Sequence, residues 1–127
     1  MHKHMKITAI IQEQQFDDVL TKLVALGIEG LTATSVKGFG EWHPRQSFGY
    51  GKTFNKLSDH TRLEIFIESD RADAVIDAIT KAAHTGEAGD GVIALLPIER
   101  FVHVRSHYRD ISSSDDDQAP PSEGDQP

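Results

Sequence analysis

The first third of the chain alternates between strand-like and helix-like patterns of apolar residues. Residues 5–11 form a dense apolar run rich in β-branched side chains, which predicts a buried strand. Apolar residues then recur at helical spacing from Phe16 to Leu26, and Gly27 provides a stop for that helix. Threonine-rich alternation over residues 31–37 predicts a second strand. This part of the chain therefore has the order strand, helix, strand.

The same order returns in the second half of the chain. Residues 61–68 alternate between apolar and polar and predict a strand, and apolar residues within 72–83 recur at helical spacing. A short apolar run at 92–96 predicts a further strand, and residues 98–104, beyond the break at Pro97, supply the last strand material. Two strand–helix–strand halves favour an α+β fold, a ferredoxin-like βαββαβ sandwich with both helices on one face of an antiparallel sheet.

Two glycine-rich stretches interrupt this pattern. From Gly38 to about His60 the sequence has several breakers and no periodicity, which predicts a long loop of the kind that is commonly functional or mobile. The second stretch, His84 to Gly91, has three glycines within six residues, directly between the second helix and the next strand. Successive N–H groups in such a loop can bind an anion, typically a phosphate. Its spacing matches neither the P-loop nor the dinucleotide fingerprint, and a glycine-rich turn between a helix and a strand is, taken alone, more often a plain connector.

The negative charge of the protein is concentrated at its carboxy-terminal end. Residues 110–127 contain six acids and no Lys or Arg. Taking these six from the 20 acids of the whole chain leaves 14 against 13 Lys and Arg residues, a balance of −1. The remainder therefore has no basic surplus of the kind that would indicate a nucleic-acid partner. The segment 110–127 is polar and acidic with few apolar residues, so we expect it to be disordered.

Several classes of protein are disfavoured by composition. There are no cysteines, which excludes a disulfide framework and a cysteine-ligated metal site, and the histidines lack metal-ligand spacing. No run of about 18 apolar residues is present and residues 1–6 are polar, so we expect neither a signal peptide nor a spanning helix. The default expectation is a cytoplasmic protein.

Five short motifs resemble the PII signal-transduction (nitrogen regulatory P-II) family, and the resemblance extends from Met5 to about Arg109 without a large gap. They are Phe16-Asp17-Asp18-Val19, Lys37-Gly38-Phe39-Gly40, Thr85-Gly86-x-x-Gly89-Asp90-Gly91, Leu96-Pro97-Ile98-Glu99 and Val102-His103-Val104-Arg105. The two glycine motifs together are fairly specific. The chain is thus identified as a divergent PII-like member of this family.

The resemblance implies a regulator that is not an enzyme. It implies a domain over residues 1–109 that assembles as a homotrimer, with the acidic tail 110–127 outside it. Adenine nucleotides would bind in the clefts between subunits as effectors, with no tightly bound cofactor. A T-loop, about residues 38–60, would contact an unidentified target protein such as a transporter or an enzyme, and a B-loop, residues 84–91, would bind the nucleotide.

The resemblance also implies which residues form the site. The nucleotide contacts would be Thr32, Thr34, Gly38, Phe39, Gly40, Arg62, Gly86, Gly89, Asp90, Gly91, Val92, His103 and Arg105. The effector and T-loop group would be Lys37, Glu41, Trp42, Tyr50 and Phe54.

Simpler interpretations of these residues stand beside the implied ones. The two threonines are equally β-formers on a half-exposed strand, and Arg62 is equally a surface partner of Glu64. Asp90 more often fixes its own turn than acts as an acid or base.

Departures from the family pattern change the expected ligand. Trp42 stands where the family has a glutamine that helps to hold magnesium–2-oxoglutarate, and an indole offers no oxygen ligand. Phe54 aligns with the tyrosine that the family uridylylates, so we expect that modification to be absent. Val92 and His103 stand where the family has a lysine and an arginine. Because charge-assisted bonds to phosphate are strong, losing two cations should weaken a triphosphate most, which predicts a preference for ADP or AMP over ATP.

Four functions and one alternative within the same family remain open at this point. The first is the PII-like nucleotide sensor, and the second is a branch that senses bicarbonate or another small anion, held at the loop root by Lys37 or nearby backbone. An ordinary nitrogen regulator that responds to ATP and 2-oxoglutarate is an alternative to both. The third is a small nucleotide hydrolase that uses Glu41, Asp90 or a metal. The fourth is a metal-binding, cation-tolerance type of domain, which the phosphate-loop motif argues against.

Overall fold

The computed structural model describes residues 2–40, 47–48, 52–53 and 57–118, and the side chains of residues 2–40 and 57–113. The helices are α1 (Phe16–Ala25), α2 (Ala72–Ala83) and α3 (Val104–Gln118). The strands are β1 (His4–Gln12), β2 (Thr32–Gly38), β3 (Ser47–Phe48), β4 (Lys52–Thr53), β5 (Ser58–Glu68) and β6 (Gly91–Ile98).

The four longer strands form one antiparallel sheet in the order β2-β5-β1-β6. The short pair β3 and β4 forms a separate two-stranded ladder within the loop that the sequence predicts. This architecture confirms the predicted α+β fold with an antiparallel sheet. The two central strands, β5 and β1, come from different halves of the chain.

One face of the sheet is covered by α1 and α2. Alternate residues of β1 and β5 are buried on that face, as strand geometry requires. They pack with apolar residues of α1 and α2 into a single core. The fully or nearly fully buried members are Ile7, Ala9, Ile11, Val19, Leu23, Leu63, Ile65, Ile67, Ala72, Val75, Ile79 and Ala83. The other face carries no helix among the described elements.

The register places predicted site residues on one line across the helix-free face. Thr34 lies opposite Arg62, Arg62 lies opposite Ile10, and Ile10 lies opposite Val92. Directly opposed residues of paired strands point to the same face. The sequence pattern alone does not contain this alignment, because it depends on the pairing of strands far apart in the chain.

The carboxy-terminal region differs from the prediction. The sequence predicts strand material over residues 98–104 and disorder from residue 110, but β6 ends at Ile98 and α3 begins at Val104. Val104, Tyr108 and Ile111 recur at helical spacing, a periodicity hidden by the strand-like alternation just before it. The strand prediction is therefore wrong after Ile98, and residues 110–118 are helical. Residues 119–127 lie outside the described part of the chain.

None of the helices in the described ranges is long and apolar enough to cross a membrane.

Candidate functional site

The glycine-rich loop between α2 and β6 is held together by one carboxylate. Asp90 Oδ2 accepts hydrogen bonds from the backbone N–H groups of Thr85, at 2.9 Å, and Gly86, at 3.1 Å. The Thr85 hydroxyl donates to Asp90 Oδ1, and the ring Nδ1 of His84 lies 3.4 Å from Oδ2. The loop is therefore a closed turn in which the Asp90 side chain is bonded to Thr85 and Gly86 near the start of the loop, as the simpler interpretation of Asp90 predicts.

These contacts keep Asp90 ionised. Partial burial raises the pKa of this carboxyl, but the hydrogen bonds from Thr85 and Gly86 and the nearby charge of His84 together lower it below its ordinary value. Both carboxylate oxygens are already engaged by the loop. A weakly basic carboxylate that closes a turn is poorly suited to act as a general base.

The end of the loop approaches the sheet too closely for any side chain. Gly91 has φ of +117°, and a Cβ built on it would lie 1.9 Å from the carbonyl oxygen of Ile10. Because Ile10 is a backbone neighbour in β1, no side-chain movement relieves that contact. Gly91 is required where the loop enters β6.

The carbonyl of Gly89 is held by two side chains from the ends of β1 and β5. Gln12 Nε2 donates to this oxygen at 3.2 Å, and His60 Nε2 lies 3.3 Å from it. A carbonyl oxygen only accepts, so His60 Nε2 carries the hydrogen in this contact. Gln12 and His60 are directly opposed residues of β1 and β5, and the ring of His60 is buried. Neither residue was among the predicted site residues, because the contacts join positions 77 and 29 residues apart.

The last residues of β2 form a second polar contact near the same end of the sheet. Lys37 Nζ lies 2.5 Å from Asp59 Oδ1, and more than half of each side chain is exposed. The hydrogen bond that Lys37 donates to Asp59, together with the charge of Asp59, raises the pKa of Lys37. The same contact lowers the pKa of Asp59. An anion at the loop root would therefore have to compete with Asp59 for the ammonium group.

A cavity of about 490 Å³ lies at the opposite end of β1. Its lining includes His4 at the start of β1, Thr32 at the start of β2, and His103 in the segment before α3. The ring of Phe101 stands between three others, with its centroid 4.8 Å from His4, 5.4 Å from Phe66 and 4.9 Å from His103. The cavity thus brings together two predicted site residues and an aromatic cluster that offers a flat, apolar surface.

The aromatic side of this cavity is not predicted by the sequence pattern. Phe66 is 53% exposed on the helix-free face, where the alternation of β5 would otherwise place polar residues. That exposed position was a usable signal. Phe101 gave none, because its position depends on the irregular segment between β6 and α3.

The predicted site residues therefore separate into two groups within one subunit. The B-loop residues lie at the Gln12 end of β1, whereas His103 lies beside Phe101 at the His4 end. Thr32 also lines the cavity, but it is opposite Glu64, which is opposite Thr8, so it is level with the middle of β1. Eight residue steps separate these ends, roughly 26 Å of strand. That distance is longer than a mononucleotide, so one subunit does not bring the B-loop and His103 to one ligand.

The remaining predicted residues have mixed positions. Thr34, Arg62 and Val92 lie on the line across the helix-free face, between the two groups. Arg62 Nε is buried without a hydrogen-bond partner among the described residues. Gly38, Phe39 and Gly40 follow Lys37 at the B-loop end, and Arg105 lies on exposed α3. Glu41, Trp42, Tyr50 and Phe54 lie outside the residues whose side chains are described.

Within the described ranges, no group of three His, Asp or Glu side chains is arranged to hold a metal ion.

Comparison with known proteins places these features in a family. Residues 4–108 match the family described as nitrogen regulatory protein P-II. The chain is 34% identical over 105 residues to the nitrogen regulatory protein GlnK of Escherichia coli, covering 82% of this chain and 94% of that protein. It is 36% identical over 102 residues to the nitrogen regulatory protein P-II of Microchaete diplosiphon, covering 80% and 91% respectively.

A solved structure shows the same fold. The crystal structure of Arabidopsis thaliana PII bound to citrate superimposes with a TM-score of 0.68 at 32% sequence identity, covering 83% of this chain and 86% of that chain. The relatives of the present chain are named as regulatory proteins, which agrees with the expectation of a regulator. On the strength of the family match over residues 4–108, this chain belongs to the nitrogen regulatory P-II family.

Proposed function

We propose that this protein is a PII-like regulator that acts in the cytoplasm as a homotrimer. It binds one adenine nucleotide in each cleft between neighbouring subunits and controls a partner protein through its T-loop. The observation that carries this proposal is the placement of the B-loop at the Gln12 end of β1 and of the aromatic cavity at the His4 end. In a closed ring of identical copies, the B-loop of one subunit can face the cavity of the next.

The two half-sites have complementary chemistry. The B-loop offers backbone N–H groups and glycines, which suit a phosphate. The cavity offers Phe66, Phe101 and the ring of His103, which suit a nucleobase because every base has a face that can stack on an aromatic ring. A nucleotide laid across the cleft would thus place its phosphates on one subunit and its base on the other.

The helix-free face of the sheet supports assembly. Phe66 is 53% exposed there and Leu96 is 45% exposed, and both lie on strands of the central sheet. Large apolar side chains on a sheet face without a covering layer indicate a surface that is buried in an assembly. This face is the proposed surface of contact between subunits.

The proposed ligands are ADP and AMP in preference to ATP. Val92, at the start of β6, and His103, beside Phe101, carry no permanent charge to place against a phosphate. Each missing charge-assisted bond costs on the order of 1.5–3 kcal/mol, and the loss is largest for the ligand with the most negative charge. Arg105 remains available as a permanent cation on α3.

Bicarbonate is retained as a candidate second effector at the base of the T-loop. It would have to exchange for Asp59 on Lys37, a contact in which both groups are largely exposed. Such exposed pairs are weak, so a small anion can compete for the ammonium group. A hydrolase is disfavoured because both oxygens of Asp90 are engaged within the loop.

A subunit-mixing experiment tests the split site. Asp90→Asn damages the B-loop half and Phe101→Ala damages the cavity half, so each variant alone should lose most ADP binding. If the two variants are unfolded and refolded together, random mixing yields intact clefts at roughly a quarter of the positions, because an intact cleft needs one undamaged half from each neighbour. Recovery of that fraction of tight ADP sites by titration supports the proposal.

Absence of recovery in the mixture would contradict it, provided that each variant refolded alone remains trimeric by light scattering. A site contained within one subunit cannot be rebuilt by mixing, because each subunit in the mixture carries one damaged half. A wild-type protein that is monomeric in solution would contradict the proposal independently.

A further inference from the structure

Two neighbouring residues at the start of β5 hold two different loops. The ring of His60 contacts the Gly89 carbonyl in the B-loop, and the carboxylate of Asp59 contacts Lys37 at the end of β2. Successive residues of a strand point to opposite faces, so one dipeptide can serve both contacts at once. We propose that Asp59-His60 is the coupling element between the B-loop and the base of the T-loop.

The His60 contact orients a backbone group that a ligand would use. A peptide unit is planar and trans, and the described chain contains no cis peptide bonds. Fixing the Gly89 carbonyl against His60 and Gln12 therefore fixes the direction of the Asp90 N–H, which points away from those two side chains. His60 is thus a positioning residue for the B-loop, and Gln12 shares that role through the same carbonyl.

The burial of His60 makes this contact consequential. Its side chain is only 1% exposed, and a buried polar ring is costly unless its nitrogens are satisfied. A movement of the B-loop that broke the contact with Gly89 would oblige the ring or the strand that carries it to shift. That strand also carries Asp59, the adjacent residue.

The Asp59 contact transmits such a shift to the T-loop base. Lys37 is directly opposite Asp59 in the ladder, and Gly38 is the last residue of β2. The position of the Lys37 ammonium group therefore depends on the position of the first residues of β5. A partner that pulls Lys37 away from Asp59 would therefore change the affinity of the B-loop for its ligand. By thermodynamic reciprocity, the ligand must change the affinity for that partner by the same factor.

The proposal rests on the proposed function only in taking the B-loop as a ligand site. The first arm of its test uses the ligand-free protein. Backbone ¹H–¹⁵N shifts of the full-length protein are compared between wild type and Asp59→Asn. We expect the B-loop amides of Gly86, Asp90 and Gly91 to move, although Asp59 touches none of them. Asp77→Asn, the same substitution at an exposed position on α2, is the matched control and should leave those amides in place.

The second arm uses His60. His60→Gln places an amide nitrogen where Nε2 was, and His60→Leu removes the donor. We expect His60→Leu to move the amides of both Lys37 and Gly91. It should also weaken ADP binding about tenfold, because the Gly89 carbonyl would lose one of its two hydrogen bonds and keep only the one from Gln12. His60→Gln should restore most of both effects. If His60 acted only through packing, His60→Gln and His60→Leu would shift the Lys37 amide by similar amounts.

The outcomes separate this inference from the proposed function. If Asp59→Asn leaves the B-loop amides as unmoved as Asp77→Asn does, the coupling is overturned, whatever the nucleotide affinity. If the shifts move as expected in a protein that binds no nucleotide, the coupling stands and the proposed function fails. Should His60→Leu fail to fold, the comparison of Asp59→Asn with Asp77→Asn decides the matter.

Discussion

Gly91 and Ile10 lie so close across the β1–β6 ladder that a Cβ on Gly91 would stand 1.9 Å from the Ile10 carbonyl oxygen. The glycine also has φ of +117°, which side-chain-bearing residues rarely adopt. The entry of the B-loop into β6 is therefore set by backbone contact and not by side-chain packing.

Gly91→Ala should be strongly destabilising. The strained φ and the backbone overlap together should cost roughly 2–4 kcal/mol in the free energy of unfolding, measured by urea denaturation. Gly30→Ala is the matched control, because no atom of the described residues lies within 4 Å of a Cβ at that position. Equal effects of the two substitutions would show that the close approach at Gly91 is not as described.

Asp90→Asn should remove a pH-dependent part of the stability. The folded-state pKa of Asp90 is lowered below its ordinary value of 3.8. Its contribution is therefore complete above about pH 4 and is lost as the pH falls through the folded-state pKa. At pH 7 the free energy of unfolding of the variant should be about 1–2 kcal/mol lower than that of wild type, because the hydrogen bonds from Thr85 and Gly86 would lose their charged acceptor.

The difference between wild type and Asp90→Asn should shrink as the pH is lowered below 4, in denaturation curves taken at each pH. Asp77→Asn, on the exposed side of α2, should show neither the loss at pH 7 nor the convergence at low pH. A constant difference between wild type and Asp90→Asn across this range would contradict the described ion-dependent turn.

Phe101→Ala should weaken nucleotide binding more than it weakens the fold. Phe101 packs against His4, Phe66 and His103 at the cavity, outside the buried core. Loss of a stacking surface should cost about 1–3 kcal/mol of binding free energy for ADP, measured by calorimetry. Val24→Ala, an exposed position on α1, should bind ADP as wild type does. Unchanged binding by Phe101→Ala would remove the cavity from the site.

Val92→Lys should shift nucleotide preference toward ATP. Val92 is 36% exposed beside Gly91, so a lysine there can reach a phosphate held by the B-loop. A new charge-assisted bond of about 1.5 kcal/mol corresponds to roughly a tenfold gain for ATP, with a smaller gain for AMP. Val24→Lys adds the same charge on α1 and should change neither affinity. A gain of equal size for AMP and ATP would show that Val92 does not face the distal phosphates.

The sequence patterns predicted the elements well where burial dictates periodicity. The alternation in β1 and β5 and the helical spacing in α1 and α2 follow from one buried face, and each was predicted near its observed bounds. The start of β5 is not predicted, because Ser58, Asp59 and His60 are polar and continue the aperiodic pattern of the loop before them. They extend the strand because β2 supplies partners for their backbones.

The candidate site was only partly predictable for the same reason. The B-loop and the role of Asp90 in its turn could be inferred from residues that lie within eight positions of one another. The contribution of Gln12 and His60 could not, because it depends on a contact between strand ends and a loop far along the chain. The effector residues Glu41, Trp42, Tyr50 and Phe54 stay predictions from the family resemblance.

The most direct test of the central claim is calorimetric titration of AMP, ADP and ATP into the purified full-length protein. Each titration is run with and without magnesium–2-oxoglutarate and with and without bicarbonate. The account predicts saturable binding near one nucleotide per subunit, tighter for ADP or AMP than for ATP and indifferent to 2-oxoglutarate. Binding of ATP that is strengthened by 2-oxoglutarate would identify an ordinary nitrogen regulator, and no nucleotide binding at all would contradict the proposed site.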